Sequence, residues 1–202
     1  MAGRVTYLSI EDFFGKKVDL ADLGNPLQLD LLSAQAFIPL DICALREITG
    51  DQIQNLAAHG GIMAVDSTPL LKRVNAATDK ALRIEWAAGN SNEAQFPPVP
   101  LPPDLDPDKD AMVHLLVQRN TGTDTCQIDV QAFEGIGDTE MGGLTDALAT
   151  TDLTEVTVTL GSSDITGHPG FLNLSLVPAA HATDKLWLYA AWIEYTRKLR
   201  TS

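Results

Sequence analysis

From residue 80 onward, apolar side chains recur at every second position, which is the period of a strand with one face on a core. In Lys80–Trp86 the residues Leu82, Ile84 and Trp86 point one way, while Arg83 and Glu85 point the other. The same alternation runs through Cys126, Ile128, Val130 and Ala132, through Val156, Val158 and Leu160, and through Leu172, Leu174 and Leu176. A further strand is predicted over Met112–Gln118. Between these runs Gly, Pro, Asn and Asp cluster at Asn120–Asp124, Gly135–Gly143, Gly161–Asp164 and Gly167–Gly170. Many short strands parted by turns, without the crossover helices that a parallel sheet needs, predict an all-β fold. The expected architecture is an antiparallel, jelly-roll-like β-sandwich over residues 56–202.

The first 55 residues read differently. Asn25-Pro26 opens a predicted short helix over Leu27–Ala36, and a second is expected over Asp51–Ala58. Extended apolar pieces are expected at Val5–Ile10 and Phe37–Cys43. This segment, residues 1–55, is too small for a core of its own and is expected to form an N-terminal arm or extension that packs on the sandwich or reaches away from it.

The run Lys185-Leu-Trp-Leu-Tyr-Ala-Ala-Trp-Ile-Glu-Tyr-Thr-Arg-Lys198 is apolar on both alternating faces. Strict alternation puts Leu186, Leu188, Ala190 and Trp192 on one face and Trp187, Tyr189, Ala191, Ile193 and Tyr195 on the other. One face fills the core; the second needs a cover, from the N-terminal segment or from a neighbouring subunit. Tyr and Trp are enriched in interface cores, so Trp187, Tyr189, Ile193 and Tyr195 are interface candidates.

The stretch Phe96–Asp110, FPPVPLPPDLDPDKD, holds six prolines and four aspartates. Asp104, Asp106, Asp108 and Asp110 have the spacing with which a calcium loop starts. An EF-hand would need Gly and Glu where Lys109 and Leu115 stand, so a polyproline-like connection followed by a solvated acidic turn is the better reading. No metal is expected.

Composition excludes more than it identifies. A chain of 202 residues with 45% hydrophobic and 20% charged residues is long enough for a sizeable core, and its longest apolar runs are too short to span a bilayer. The net charge of −13, with Lys and Arg scattered, argues against nucleic acid as a partner. Cys43 and Cys126 match no zinc or redox spacing and read as buried thiols in strand-like contexts. His59, His114, His168 and His181 form no HxH or HExxH pair, and His114 reads as a packed or interface histidine. No nucleophile elbow, P-loop or dinucleotide fingerprint is present. Gly135–Gly143 lacks the Lys and the following helix of a phosphate cradle and reads as a mobile loop. The chemistry is that of a binding or structural module, not an enzyme, and no cofactor is expected.

The succession IPLDICALREITG, GGIMAVDSTPLLKRVNAATDKALRIEWAAGN, PPDLD and GHPGFLNLSLVPAAHATDKLWLYAAWIEYTRK is similar to predicted virion proteins of tailed bacteriophages, over roughly residues 37–198. The resemblance implies a jelly-roll that acts as a capsid decoration or cement protein. Its partner would be the major capsid protein, its assembly a homotrimer, and its place the capsid surface of the virion after synthesis in the host cytoplasm. Tyr7, Leu8, Phe13 and Phe14 of the arm then join the last strand as interface candidates. An alternative is a carbohydrate- or receptor-binding jelly-roll of a phage tail or baseplate, using aromatics such as Trp86 or Trp192. A hydrolase with a spatially assembled site is a third.

Overall fold

A computed structural model describes residues 9–11, 17–19, 35–49, 52, 53, 69–74 and 80–198. In chain order its strands are β1 (Ser9–Glu11), β2 (Lys17–Asp19), β3 (Gln35–Leu40), β4 (Arg46–Thr49), β5 (Gln52–Ile53), β6 (Leu70–Arg73), β7 (Leu82–Trp86) and β8 (Glu93–Gln95). There follow β9 (Val99–Pro100), β10 (Ala111–Arg119), β11 (Gln127–Glu134), β12 (Met141–Leu144), β13 (Thr154–Leu160), β14 (Phe171–Ala179) and β15 (Leu186–Thr196). Apart from the β1–β2 hairpin they form two antiparallel sheets, an all-β sandwich of jelly-roll-like architecture.

The six-stranded sheet runs β13-β10-β15-β7-β6, with β3 also pairing the far half of β15. The seven-stranded sheet runs β12-β11-β14-β8-β4-β5, with β9 also on β14. Alternation does what the sequence pattern requires. Val113, Leu115 and Val117 of β10 face Ile128, Val130 and Leu174 of the other sheet's strands in one buried cluster, with Trp86, Leu176 and Leu188 fully enclosed. Each such aliphatic side chain contributes about 1.5–3 kcal/mol on leaving water.

The predicted arm is partly sandwich. Gln35–Leu40 lies along β15, and Arg46–Thr49 lies along β8, so residues 35–49 belong to both sheets. The helix expected over Leu27–Ala36 is excluded at its end, where Gln35 and Ala36 are strand, and Gln52–Ile53 is strand where a helix was expected. The rest of both segments lies outside the described residues. Backbone pairing with a ready sheet edge outweighed a weak local helical pattern. Cys43 sits in a 3-10 turn, Ile42–Ala44, capped by the Asp41 carboxylate at 2.9 Å, not in a strand.

Three further expectations change. Leu82 starts β7 and remains 47% exposed, outside the core that takes Ile84 and Trp86. Within Gly135–Gly143, Met141–Gly143 opens strand β12, and Gly142 at φ +113° lies so close to β11 that a Cβ would collide with the Val130 carbonyl oxygen. The proline stretch is not wholly loop, since Val99 and Pro100 pair with Leu172 and Phe171.

Candidate functional site

The last strand carries a β-bulge that divides its predicted interface face. Leu116 of β10 pairs with Ala190, but Val117 pairs with Leu188, so Tyr189 is an extra residue and the alternation changes phase. Trp187, Tyr189 and Trp192 therefore share the outer face. Ile193 is 1% exposed and Tyr195 8% exposed, and both turn into the core. Tyr7, Leu8, Phe13 and Phe14 lie outside the described residues.

The outer face of the six-stranded sheet is held by charge. Glu85, although on that face, is buried under Lys72, Arg83 and Lys185, whose nitrogens reach its carboxylate at 2.8, 2.8 and 3.3 Å. Burial works against its ionisation, but the hydrogen bonds from Lys72, Arg83 and Lys185 outweigh it and hold the carboxyl at about 2. The Arg83 guanidinium lies 3.8 Å from the centre of the Trp187 ring, and Tyr189 donates to Gln118 at 2.9 Å.

His114 and Trp192 are cross-strand partners whose rings stack at 5.0 Å and 10°. Rings parallel to each other on adjacent strands stand upright on the sheet and turn edges outward. Glu155 lies 2.7 Å from His114 Nδ1, and Glu194 faces Nε2 at 3.3 Å. Both indoles thus already have a face covered, whereas a sugar ring packs its C–H face on an open aromatic face. Trp86 offers nothing, being fully buried with its Nε1–H donating to the Asn92 carbonyl at 3.0 Å.

The outer face of the seven-stranded sheet has different chemistry, which the sequence reading did not single out. Gly142, Gln131, Ser175, Gln95 and Arg46 are successive partners across β12, β11, β14, β8 and β4, forming one transverse row. At the usual strand spacing of about 4.8 Å, five members make a row about 19 Å long. Gln127, Asp129 and Phe133 flank it on β11, and Asn173 and Phe171 on β14.

Several of these side chains are already oriented. Gln131 Nε2 donates to Asp129 Oδ2 at 3.1 Å, Gln127 Nε2 to the Thr145 carbonyl at 2.8 Å, and Asn173 Nδ2 to the Gly135 carbonyl at 2.7 Å. The amide oxygens of Gln127, Gln131 and Asn173 keep acceptor capacity. Beside Phe171 opens a cleft of about 440 Å³ lined by Glu134, Asp138, Thr166 and Pro169. The signal was available: QIDVQ and NLS place polar groups at alternate outward positions of two strands.

The acidic loop is engaged from within. Arg197 Nε reaches Asp104 at 2.6 Å, Tyr195 donates to Asp104 at 3.2 Å, and Lys198 lies 3.8 and 3.5 Å from Asp106 and Asp108. The hydrogen bond from Arg197 holds the Asp104 carboxyl below its ordinary value. Asp110 accepts the Ser162 amide at 2.8 Å. The loop is thereby fastened to the end of β15.

No family model matches the chain, and no curated protein matches it. Among solved structures it is similar to a xylan-binding module, CBM15, at 12% identity and a TM-score of 0.45, over 82% of this chain and 100% of that one. It is similar to TmCBM61, solved with β-1,4-galactotriose, at 10% identity and 0.40, over 79% and 86%. A third is Xylanase10C from Cellvibrio japonicus, solved with xylopentaose, at 12% identity and 0.46, over 78% of this chain and 28% of that one. The sandwich of this chain rests on its own strand pairing.

Proposed function

We propose that the chain is a non-catalytic binding module that takes an extended oligosaccharide on the outer face of its seven-stranded sheet. The observation that carries this reading is the transverse row in which the half-buried Gln131, Gln95 and Arg46 lie around a buried Ser175, flanked by Asp129 and Asn173. Planar amides answer vicinal hydroxyls with a donor beside an acceptor and carboxylates with paired acceptors, and the repeat of a pyranose chain is close to the spacing of strands. Phe133 and Phe171 add apolar surface at one side. Calorimetric titration and a glycan array on the full chain test it. An array without hits, together with flat titrations against soluble oligosaccharides, removes the reading.

A second reading is favoured by the other sheet, where Trp187, Tyr189 and Trp192 share an outer face, residue types enriched where proteins pack against one another. In that reading the chain is a virion structural protein that assembles as a homotrimer on the major capsid protein at the head surface. Light-scattering mass of the full chain, with co-sedimentation on capsid shells, decides it. A monomer that ignores shells rejects it.

A further inference from the structure

Resting on the oligosaccharide reading, we infer that this face takes neutral oligosaccharides and rejects those bearing carboxylates or sulfates. The charges around the row point one way. Asp129 and Glu93 stand on the outer face, and Asp138 and Glu134 line the adjoining cleft. Against them the row offers a single base, Arg46, whose Nη1 already donates to the Leu45 carbonyl at 3.3 Å. Several cations elsewhere are engaged: Lys72, Arg83 and Lys185 by Glu85, Arg197 and Lys198 by the acidic loop, and Arg119 by the carbonyls of Thr150 and Asp124.

Asp129, beside the row, makes the selection chemical as well as electrostatic. Asp129 Oδ2 accepts from Gln131, and an ionised carboxylate accepts only. A sugar hydroxyl can donate to the oxygen sites left on Asp129, whereas a uronate or sulfate placed there meets like charge with no hydrogen to share. The Glu134 carboxylate is fixed by Thr166, whose N–H and hydroxyl reach it at 2.5 and 2.8 Å, so it cannot swing away from an incoming anion. Across the whole chain the net charge of −13 slows the approach of any polyanion.

The test titrates the full chain with cello-, manno-, xylo- and galacto-hexaoses and with hexagalacturonate and a hyaluronan hexasaccharide, at low and high salt. The expected result is binding of at least one neutral series, with acidic oligomers at least tenfold weaker and improving as salt screens repulsion. Asp129→Asn and, in the exposed loop, Asp138→Lys should each narrow that gap at least threefold. Acidic oligomers binding as tightly as neutral ones, or a gap unmoved by both substitutions, overturns the inference and leaves the oligosaccharide reading standing. Binding of neither class overturns both.

Discussion

Asp124 and Asp184 each accept backbone amides from the other's loop. Asp184 Oδ2 takes the amides of Thr123 and Asp124 at 2.8 and 2.9 Å, while Asp124 Oδ2 takes those of Thr183 and Asp184 at 2.5 and 2.8 Å. The two loops are the crossovers β10→β11 and β14→β15, which leave the sandwich at the same end, where Arg119 pairs Leu186 and Gln127 pairs Ala179. A repeated Thr-Asp dipeptide thus latches two arches that would otherwise be free to splay.

Asp184 is fully buried and also accepts the Thr121 hydroxyl. Asp184→Ala is expected to cost about 3–5 kcal/mol, because several donors lose a charged acceptor at once. Asp124→Ala should destabilise as well, and the double variant should lose less than the sum of the two. Urea unfolding of the four proteins measures this; strict additivity would mean that the arches do not act together.

Glu85 sets a pH dependence. Its folded carboxyl lies at about 2 against an ordinary value of 4.5, so the stability it contributes is fully present above pH 4.5 and is lost as pH falls through 2. Lys72 and Lys185 are 42% and 46% exposed, and water screens part of the effect, leaving about 2 kcal/mol. Glu85→Gln should lose that amount at pH 7 and show a shallower decline below pH 4.5, read from chemical denaturation at stepped pH.

Gly142→Ala should loosen one edge of the seven-stranded sheet. The new methyl meets the Val130 carbonyl oxygen, and φ +113° is unfavourable for any L side chain. A cost of about 2 kcal/mol or more is expected, with faster hydrogen exchange at β12. An unchanged melting temperature would contradict the close approach.

The polar row can be separated from the core. Gln131→Ala and Gln95→Ala should each weaken oligosaccharide binding at least fivefold while leaving stability within about 0.5 kcal/mol, since both side chains are half-buried on an outer face. Equal affinity in both variants would move the site elsewhere.

Strands with one polar and one apolar face were legible in the sequence. Thr and Glu outward with Val and Leu inward made Thr154–Leu160 unmistakable, and Ile128 to Ala132 likewise. The bulge in β15 was hidden because Trp, Tyr and Ala occupy both faces there, so no polar residue marks the change of phase. β4 was missed, and β3 was read only from Phe37 onward as an extended piece of an arm, because their pairing partners, β8 and β15, lie far along the chain and leave no local trace. The candidate site was unread for a related reason: Gln131, Ser175, Gln95 and Arg46 come from four strands, and only register aligns them. The aspartates after the proline run read as a solvated acidic turn because Arg197 and Lys198, which engage them, are also remote.

The position of β15 bears on how the chain is made. It lies between β10 and the strands β7 and β3, so the middle of the six-stranded sheet is also its last strand to be synthesised. Until Thr196 has left the ribosome, β10 has one flank bare and β7 and β3 have no shared neighbour. The nascent chain carries open strand edges through most of its translation, when binding by holding chaperones matters most, and insertion of the final segment closes them.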